Sequence, residues 1–351
     1  MKKRKRLSEK KKRTLVFLFG LFLFVGVIFS IPSFFKNIDL PFIEQEPEIE
    51  VPKLQILNLD SKTRPIAVMI NNHNQARKYH AGLQDAYMVY EMIVEGGLTR
   101  MMALYKDITT LKIGSIRSAR HYYLDYALEH DAIFVHWGYS DYAMNDMRSL
   151  NVNHIDGMSY GTKYFWKDTS LKVATEHTAF SSMNKMGQGI HDLNIRNTTN
   201  KESLLQYSID AIDLSSMEGA ILANQVIIKY SGSVTTSYEY DSELLQYKRS
   251  VNGTPHMDYE GNFQYTAKNI ITYQVRNTTI SGDEKGRQDL STVGKGDGYF
   301  ISNGYAVPIT WEKKSRTSQT VYKFKNGTEL KVNDGNTYIQ IQPVGQTLTI
   351  S

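Results

Sequence analysis

Hydrophobic residues are distributed very unevenly along the chain. Residues 14–31 contain no charged side chain, whereas the later apolar runs are short and separated by polar turns. Ile66–Ile70 and Ala132–Trp137 are two such runs, and their length and β-branched content predict buried strands. Ala86–Val94 and Leu98–Tyr105 flank Glu95-Gly-Gly97, so we expect a hairpin with this turn at its tip.

Three segments between these strands have helical spacing of their apolar residues. The first follows Ser118, a candidate N-cap, and continues to about His130. The other two are Ser140–Leu150, with Ser140 as its cap, and Thr178–Leu193. Because strands and helices alternate, residues 63–215 are predicted to form an α/β or α+β domain.

The pattern changes after a polar connector at residues 197–220. Short strand-like runs follow one another, and turn pairs such as Asn252-Gly253 and Asn303-Gly304 separate them. Asn-Gly pairs favour tight hairpins. Residues 220–351 are therefore predicted to be an all-β second domain, either a barrel or a sandwich.

The amino terminus has a charge pattern of its own. Residues 1–13 hold nine Lys or Arg and one Glu, a charge of +8, so the rest of the chain carries −3 of the total +5. The slightly acidic remainder argues against nucleic acid as a partner. The uncharged stretch extends through Phe35, and about 20 apolar residues cross a bilayer. We therefore predict a transmembrane anchor at residues 14–35; a cleaved signal peptide is the alternative.

This anchor predicts where the rest of the chain lies. The basic tail at residues 1–13 should remain in the cytoplasm, which makes the protein a single-pass membrane protein with extracellular folded domains. Residues 36–62 contain several prolines and acids and are predicted to be an extended linker. The chain has no cysteine, which excludes disulfides, thiolate metal sites and lipid attachment through cysteine.

Gly114-Ser-Ile-Arg-Ser-Ala-Arg120 is the clearest candidate for ligand chemistry. Arg117 and Arg120 precede a predicted helix, whose free N–H groups and partial positive charge favour anions. Ser115 and Ser118 add hydroxyl groups, and Arg100 joins from the hairpin. The alternative is that these arginines pair with the protein's own acids or cover apolar surface.

An ordered series of motifs resembles a known family. The motifs are Arg64-Pro-Ile-Ala-Val-Met-Ile-Asn-Asn-His73, Val89-Tyr-Glu91, Glu95-Gly-Gly-Leu-Thr-Arg100, Gly114-Ser-Ile-Arg-Ser-Ala-Arg120 and Gly296-Asp-Gly-Tyr299 with Trp311. Together they resemble the YerB-like lipoproteins, which have paired N- and C-terminal domains, over about residues 63–345. The resemblance implies an exported, envelope-facing protein of a Gram-positive bacterium and no particular reaction. This chain has no cysteine to acylate, so a helix would replace the lipid as anchor.

Two side chains are candidates for proton transfer. His136 ends an apolar strand, where open α/β sheets often place their sites, and could act as a general base or acid. A core histidine with a backbone partner is the alternative. Glu91 and Glu95 are four residues apart on a predicted strand and would share one face. They could be acid and base, a solvated pair, or partners of Arg100.

Other site chemistry has little support in the sequence. Glu176-His177 and His191-Asp192 are isolated pairs without metal-ligand spacing, so no metal is predicted. Ser181, like the serines above, lacks a Gly-x-Ser-x-Gly elbow. Gly294-Lys-Gly-Asp-Gly298 lacks P-loop spacing and is interpreted as a turn. No cofactor is predicted.

Three functions remain open at this stage. The first is a binding or regulatory module for an anionic cell-envelope component or for a membrane protein that handles one. The second is an enzyme, a hydrolase or phosphodiesterase acting on a cell-wall glycan or phosphodiester, with Arg117 and Arg120 stabilising negative charge. The third is a scaffold whose partner binds an apolar patch of the β-rich domain.

Overall fold

The chain's computed structural model describes residues 54–351, and β-structure dominates this part. In the first half the strands are β1 (Ile66–Asn71), β2 (Met88–Ile93), β3 (Thr99–Tyr105), β4 (Ile113–Gly114), β5 (Ile133–His136), β6 (His154–Asp156), β7 (Trp166–Lys167), β8 (Ala179–Ser181) and β9 (Gln206–Ser208). The helices are α1 (Asn74–Arg77), α2 (His121–Glu129), α3 (Asp141–Ser149), α4 (Gly157–Tyr160) and α5 (Met183–Asp192).

The second half consists of strands and their connections. They are β10 (Ile221–Leu222), β11 (Gln225–Lys229), β12 (Thr235–Asp241), β13 (Gln246–Val251), β14 (Thr254–Pro255), β15 (Thr266–Ala267), β16 (Asn269–Val275), β17 (Asn277–Thr279), β18 (Gln288–Leu290), β19 (Gly294–Ser302), β20 (Tyr305–Lys313), β21 (Val321–Phe324), β22 (Lys331–Asn333), β23 (Thr337–Pro343) and β24 (Leu348–Ile350).

One large mixed sheet contains strands from both halves of the sequence. Its order is β10-β20-β19-β16-β23-β2-β3-β1-β5-β6, and β21 pairs with β20. β23 lies between β16 and β2 and is parallel to both, so that Ile339 is opposite Ile271 on one side and Tyr90 on the other. Residues before 215 and after 220 therefore share one sheet and one hydrophobic core.

The predicted strands at the centre of this sheet are confirmed. All residues of β1, β2 and β3 are buried, as expected for central strands covered on both faces. β2 and β3 form the predicted hairpin, in which Gly96 and Gly97 take φ values of +67° and +69°. Such values favour glycine, which explains the Glu95-Gly-Gly97 turn.

A second, smaller sheet covers part of the large one. Its order is β14-β13-β12-β11-β24, with β15 beside β13. Buried residues alternate with more exposed ones along β13, the pattern of a sheet with one face in the core. Contacts of Tyr230 and Tyr238 join the two sheets: the Tyr230 hydroxyl donates to the Glu91 carbonyl at 3.1 Å, and the Tyr238 ring meets Tyr338.

The predicted transmembrane helix requires a correction. No helix in residues 54–351 is long and apolar enough to cross a membrane; α5, with ten residues, is the longest of those described. The segment at residues 14–35, the basic tail and most of the predicted linker lie outside the described residues.

Several local predictions also change. The helix predicted from Ser118 begins at His121, because residues 114–120 are used for pairing with neighbouring segments. The helix predicted over Thr178–Leu193 is strand β8 followed by α5. Gly294–Gly298, interpreted as a turn, lies in β19 and pairs with β20, whereas the Asn303-Gly304 turn that joins these strands is confirmed.

Candidate anion-binding cleft at the carboxyl ends of the parallel strands

The Arg64–His73 and Gly114–Arg120 motifs meet where β1, β5 and β6 end. These three strands are parallel, so their carboxyl ends lie at one edge of the sheet. Residues 114–120 run along this edge: the Arg117 amide donates to the Met69 carbonyl at 2.9 Å, and the Ala119 amide donates to Gly138 at 2.9 Å. The sequence motif is therefore held by backbone hydrogen bonds on both sides.

These backbone bonds change the expected anion site. Ile116, Arg117 and Ala119 already donate their N–H groups to carbonyls of the fold, so they are not free for a ligand. Ser118 does not cap α2; its hydroxyl donates to the Trp137 carbonyl at 3.1 Å. The Ser115 hydroxyl is buried and has no hydrogen-bond partner among the described residues. The amides of Ile116, Arg117 and Ala119 are thus not available to a ligand.

Two of the three candidate arginines share one internal carboxylate. Arg120 binds Glu95 through Nε and Nη2, and the Nη2 bond is 2.9 Å long. Arg100 places Nη2 3.8 Å from the same carboxylate and donates Nη1 to the Ser118 carbonyl at 2.6 Å. Burial alone would raise the pKa of Glu95, but the Arg120 hydrogen bond and the charges of both arginines lower it. Arg100 and Arg120 therefore hold the hairpin turn against residues 118–120.

Arg100 is the more deeply buried of this pair. Burial lowers the pKa of its guanidinium to about 9, and the nearby Arg120 charge adds to the effect. Its side chain is only 9% exposed, and that of Arg120 is 11% exposed. Neither arginine presents an open face to solvent.

Arg117 differs from both because it lines an open cleft. Its side chain is 27% exposed, and Nη2 lies 3.2 Å from Oε1 of Glu176, a side chain that is itself 56% exposed. The cleft has a volume of about 610 Å³. The residues that matter for its chemistry are Arg117, Lys167, Trp137, Tyr139, Met158 and Glu176.

The cleft combines two cations with apolar surface. Lys167 Nζ lies 5.0 Å from the centroid of the Trp137 ring, a cation–π distance. The Trp137 ring also packs edge-on against Phe165. A Cβ added to Gly157 would lie 2.3 Å from Trp137 Cε3, so only glycine leaves room for the ring in this position.

His136 lies behind the cleft and does not open into it. The side chain is fully buried; Nδ1 donates to the Gly138 carbonyl at 2.8 Å, and Nε2 is 3.0 Å from Nδ1 of His154. Burial lowers the pKa of His136 to about 4, although the Asp156 charge opposes this. A neutral ring with both nitrogens engaged matches the core-histidine alternative.

Glu91 is an internal counter-ion between the two sheets. It is fully buried and accepts from Arg249 Nη2 at 2.8 Å, from the Thr99 hydroxyl at 2.8 Å and from the Asn72 amide at 2.9 Å. Glu95 lies beyond the end of β2 in the turn, so the two carboxylates do not share a strand face as predicted.

The polar network around Glu91 extends to two histidines. Arg249 contacts Nδ1 of His256, whose Nε2 is 2.8 Å from Nδ1 of His80, and His80 reaches the Asn71 carbonyl. All of these side chains are buried. Sequence reasoning missed this network because Arg249 and His256 lie far along the chain from the family motifs of the first half.

The remaining candidates lie apart. His177 bonds Asn71 and stacks on His73, while the exposed His191 ring lies 3.3 Å from the Asp192 carboxylate. No group of three or more His, Cys, Asp or Glu side chains within residues 54–351 is arranged to hold a metal ion. The cleft residues Trp137, Tyr139, Met158 and Lys167 were not singled out, since nothing in their spacing marks them.

Two parts of the chain match the models of a known protein family. Residues 55–196 match the family described as "Protein of unknown function (DUF3048) N-terminal domain", and residues 226–339 match its C-terminal domain. Both parts occur in order, with their junction close to the change in sequence pattern near residue 220.

A protein from Bacillus subtilis (strain 168) is similar to this chain over almost its whole length. "Putative lipoprotein YerB" is 26% identical over 92% of this chain and 91% of the relative. The crystal structure of YerB protein from Bacillus subtilis has a similar fold, with a TM-score of 0.71 over 82% of this chain and 94% of that chain, at 24% identity. The chain belongs to the YerB-like family.

Proposed function

We propose that residues 54–351 form a binding module of the cell envelope whose cleft recognises an anionic ligand through Arg117 and Lys167. The observation that carries the proposal is the Arg117–Glu176 pair. Exposed ion pairs contribute about 0–1 kcal/mol, so an incoming phosphate or carboxylate can replace Glu176 at little cost. Arg100 and Arg120, by contrast, already share the Glu95 carboxylate inside the protein.

The surroundings of Arg117 suggest the class of ligand. Trp137, Tyr139 and Met158 provide apolar surface beside the two cations. A ligand with a charged group attached to a ring or chain would use both parts of the cleft. A phosphate-bearing or carboxylate-bearing segment of an envelope polymer has this character.

The envelope location is part of the proposal. It is supported by membership of the YerB-like family and by the word lipoprotein in the name of the relative. Association with the membrane surface would bring the cleft close to the polymers attached there.

The geometry supports binding better than catalysis. The buried pairs Glu91–Arg249 and His136–His154 leave neither proton-transfer candidate facing the cleft. Catalysis by general acid and base requires such a group within hydrogen-bond reach of the ligand. Neither of these two side chains therefore supports the hydrolase or phosphodiesterase alternative.

Titration calorimetry with purified full-length protein tests this proposal. The probes are a short poly(glycerol phosphate) and, as uncharged control, a neutral glucose oligosaccharide. We expect Arg117→Ala and Lys167→Ala each to weaken binding of the charged probe about tenfold, since a hydrogen bond to a charged group contributes roughly 1.5–3 kcal/mol. Their melting temperatures should change little, because the only ion pair lost is exposed.

Lys229→Ala is the matched control. Lys229 is exposed on β11, so this substitution removes one positive charge away from the cleft. It should bind like the unmodified protein. Equal affinity in the Arg117→Ala and unmodified proteins would refute the cleft as the binding site, and equal affinity for both probes would refute recognition of charge.

A further inference from the structure

A second cavity lies at the opposite edge of the large sheet. Pro65 precedes β1, and Lys106 follows β3, which is antiparallel to β1, so both lie at the amino end of β1. His130 follows α2 and precedes the parallel strand β5. These residues line a pocket of about 420 Å³, within the range of small-molecule sites. It is separate from the cleft, which lies beyond the carboxyl ends of β1 and β5.

Three lysines line this pocket without a carboxylate partner. Lys106 Nζ donates to the Ser61 carbonyl at 2.9 Å, and Lys201 Nζ donates to the Leu128 carbonyl at 2.8 Å. Within residues 54–351 neither of them, nor Lys62, has a carboxylate oxygen within 4.0 Å. Burial lowers the pKa of Lys106 and of Lys201, and the charges of Asp107 and Glu129 only partly oppose this. Glu202 also lines the pocket, so three lysines and one glutamate leave it with excess positive charge.

The other walls supply apolar surface and one unused hydroxyl group. Leu57, Leu59 and Leu205 contribute side chains to the pocket. The Tyr207 hydroxyl is buried and has no hydrogen-bond partner among the described residues. Buried hydroxyl groups normally have a partner, so an unpaired one beside a cavity marks a place where a ligand or water belongs.

Two further polar side chains of the pocket, Tyr87 and His130, are bonded to each other and to their neighbours. The Tyr87 hydroxyl is 3.3 Å from His130 Nδ1, and His130 Nε2 is 2.8 Å from the Tyr90 hydroxyl, which donates to Glu129. This arrangement uses both ring nitrogens of His130. Burial lowers the pKa of His130 to about 4, so the ring is neutral at pH 7 and adds no charge to the pocket.

We propose that this pocket, here called the lysine pocket, binds a small anionic amphiphile: a phosphate or carboxylate group attached to a short apolar chain. Lys62, Lys106 and Lys201 hold the charged group, Tyr207 adds a hydrogen bond, and the leucines contact the apolar part. A soluble phosphate ester and the headgroup region of an anionic lipid share this chemistry. The inference does not depend on the function proposed for the cleft.

Titration calorimetry with purified full-length protein distinguishes the contributions to binding. The probes are hexyl phosphate, inorganic phosphate and hexanol, which separate the combined ligand from its charged and apolar parts. We expect hexyl phosphate to bind more tightly than either part. Absence of hexyl phosphate binding at millimolar concentration overturns the proposal.

Variants test whether binding occurs in this pocket. Lys106→Gln should weaken hexyl phosphate binding about tenfold, in line with loss of one charge-assisted hydrogen bond. Tyr207→Phe should weaken it several-fold without lowering the melting temperature, because the hydroxyl has no partner to lose. Lys229→Gln, the exposed control, should leave it unchanged. Unchanged affinity in both Lys106→Gln and Tyr207→Phe, or loss of affinity in Arg117→Ala, would place the ligand elsewhere and overturn the proposal.

A lipid analogue identifies the source of the ligand. Dihexanoylphosphatidylglycerol, below the concentration at which it forms micelles, presents a lipid phosphodiester and two short chains. Binding that is tighter than that of hexyl phosphate and is sensitive to Lys106→Gln supports a lipid headgroup. Tighter binding of hexyl phosphate, with the same sensitivity, supports a soluble phosphate monoester.

Discussion

Each arginine of the Glu95–Arg100 and Gly114–Arg120 motifs lies beside a carboxylate, but the surroundings of these pairs differ. Glu95 serves Arg100 and Arg120 in a shielded position, whereas the partner of Arg117 is exposed. An ion pair inside the protein stabilises the fold. In an exposed ion pair, a ligand anion can replace the protein's own carboxylate. By this difference, Arg100 and Arg120 are structural, and Arg117 is the candidate binding residue.

The Glu91–Arg249 pair allows a test at the residue scale. Both side chains are fully buried, so Arg249→Ala would leave an uncompensated carboxylate between the two sheets. Breaking a buried pair costs about 3–5 kcal/mol, and we expect the free energy of unfolding in urea to fall by about this amount. Arg276→Ala, at an exposed arginine, is the matched control. A loss in Arg249→Ala no larger than in the control would show that the pair does not stabilise the fold.

At the scale of elements, the cleft depends on how β5 and β6 end. β5 is followed directly by Trp137, and β6 by the short helix α4, whose first residue is Gly157. Asp156 caps this helix by accepting from the Met158 amide at 3.0 Å and also accepts from the Gly138 amide at 2.8 Å. The two strand ends are thereby tied together, and Trp137 is held against the glycine.

Gly157→Ala tests this arrangement. The added methyl group would overlap the Trp137 ring, and such overpacking typically costs about 1–3 kcal/mol. We expect reduced stability, a changed Trp fluorescence spectrum and weaker binding of the charged probe in the cleft.

Gly187→Ala is a suitable control for this substitution. Gly187 lies in α5, and a Cβ there would have no atom within 4 Å, so alanine should raise stability by up to about 1 kcal/mol through its helix propensity. If Gly157→Ala behaved in the same way, Trp137 would not depend on the glycine.

At the scale of the whole molecule, the described region depends on pairing between distant parts of the sequence. β23 is central in the large sheet, although it comes from the end of the chain, and Arg249 of the smaller sheet neutralises Glu91 of the larger one. Several histidines are enclosed by this packing. Burial lowers the pKa of His80 to about 3 and those of His130 and His136 to about 4.

Because these histidines are buried, we expect the free energy of unfolding of the folded region to decrease in acid. An unfolded histidine has a pKa of about 6.5, so between pH 6.5 and 4 the unfolded chain binds protons that the folded state excludes. The stabilising contribution is present above pH 6.5 and is lost as the pH falls, by up to about 1.4 kcal/mol per pH unit for each histidine.

Urea unfolding of the purified protein at pH 7 and pH 5 measures this loss. The carboxylates with lowered pKa values, such as Glu95, add their own loss only below about pH 4.5, so the decrease above pH 5 reports the histidines. A free energy of unfolding that stays constant between pH 7 and pH 5 would contradict neutral burial of these rings.

The local sequence was sufficient to predict several elements. Continuous apolar runs correctly indicated β1 and the β2–β3 hairpin, because central strands bury both faces. Ser140 was correctly predicted to cap α3: its side chain accepts from the Ala143 amide. Helix boundaries were less predictable. Residues 118–120 form hydrogen bonds with segments distant in sequence, and these bonds delay the start of α2 until His121.

The sequence alone determined the family, the motifs and the charge imbalance of the chain, because these depend on residue order and composition. Only the tertiary structure decided which arginine faces a cleft, which carboxylate pairs with the other two, and that the end of the chain completes the central sheet. Charge pairing and strand pairing depend on distances between residues that can be more than a hundred positions apart, as in Glu91 and Arg249. The lysine pocket is defined in the same way, by residues brought together only when β1, β3 and α2 pack.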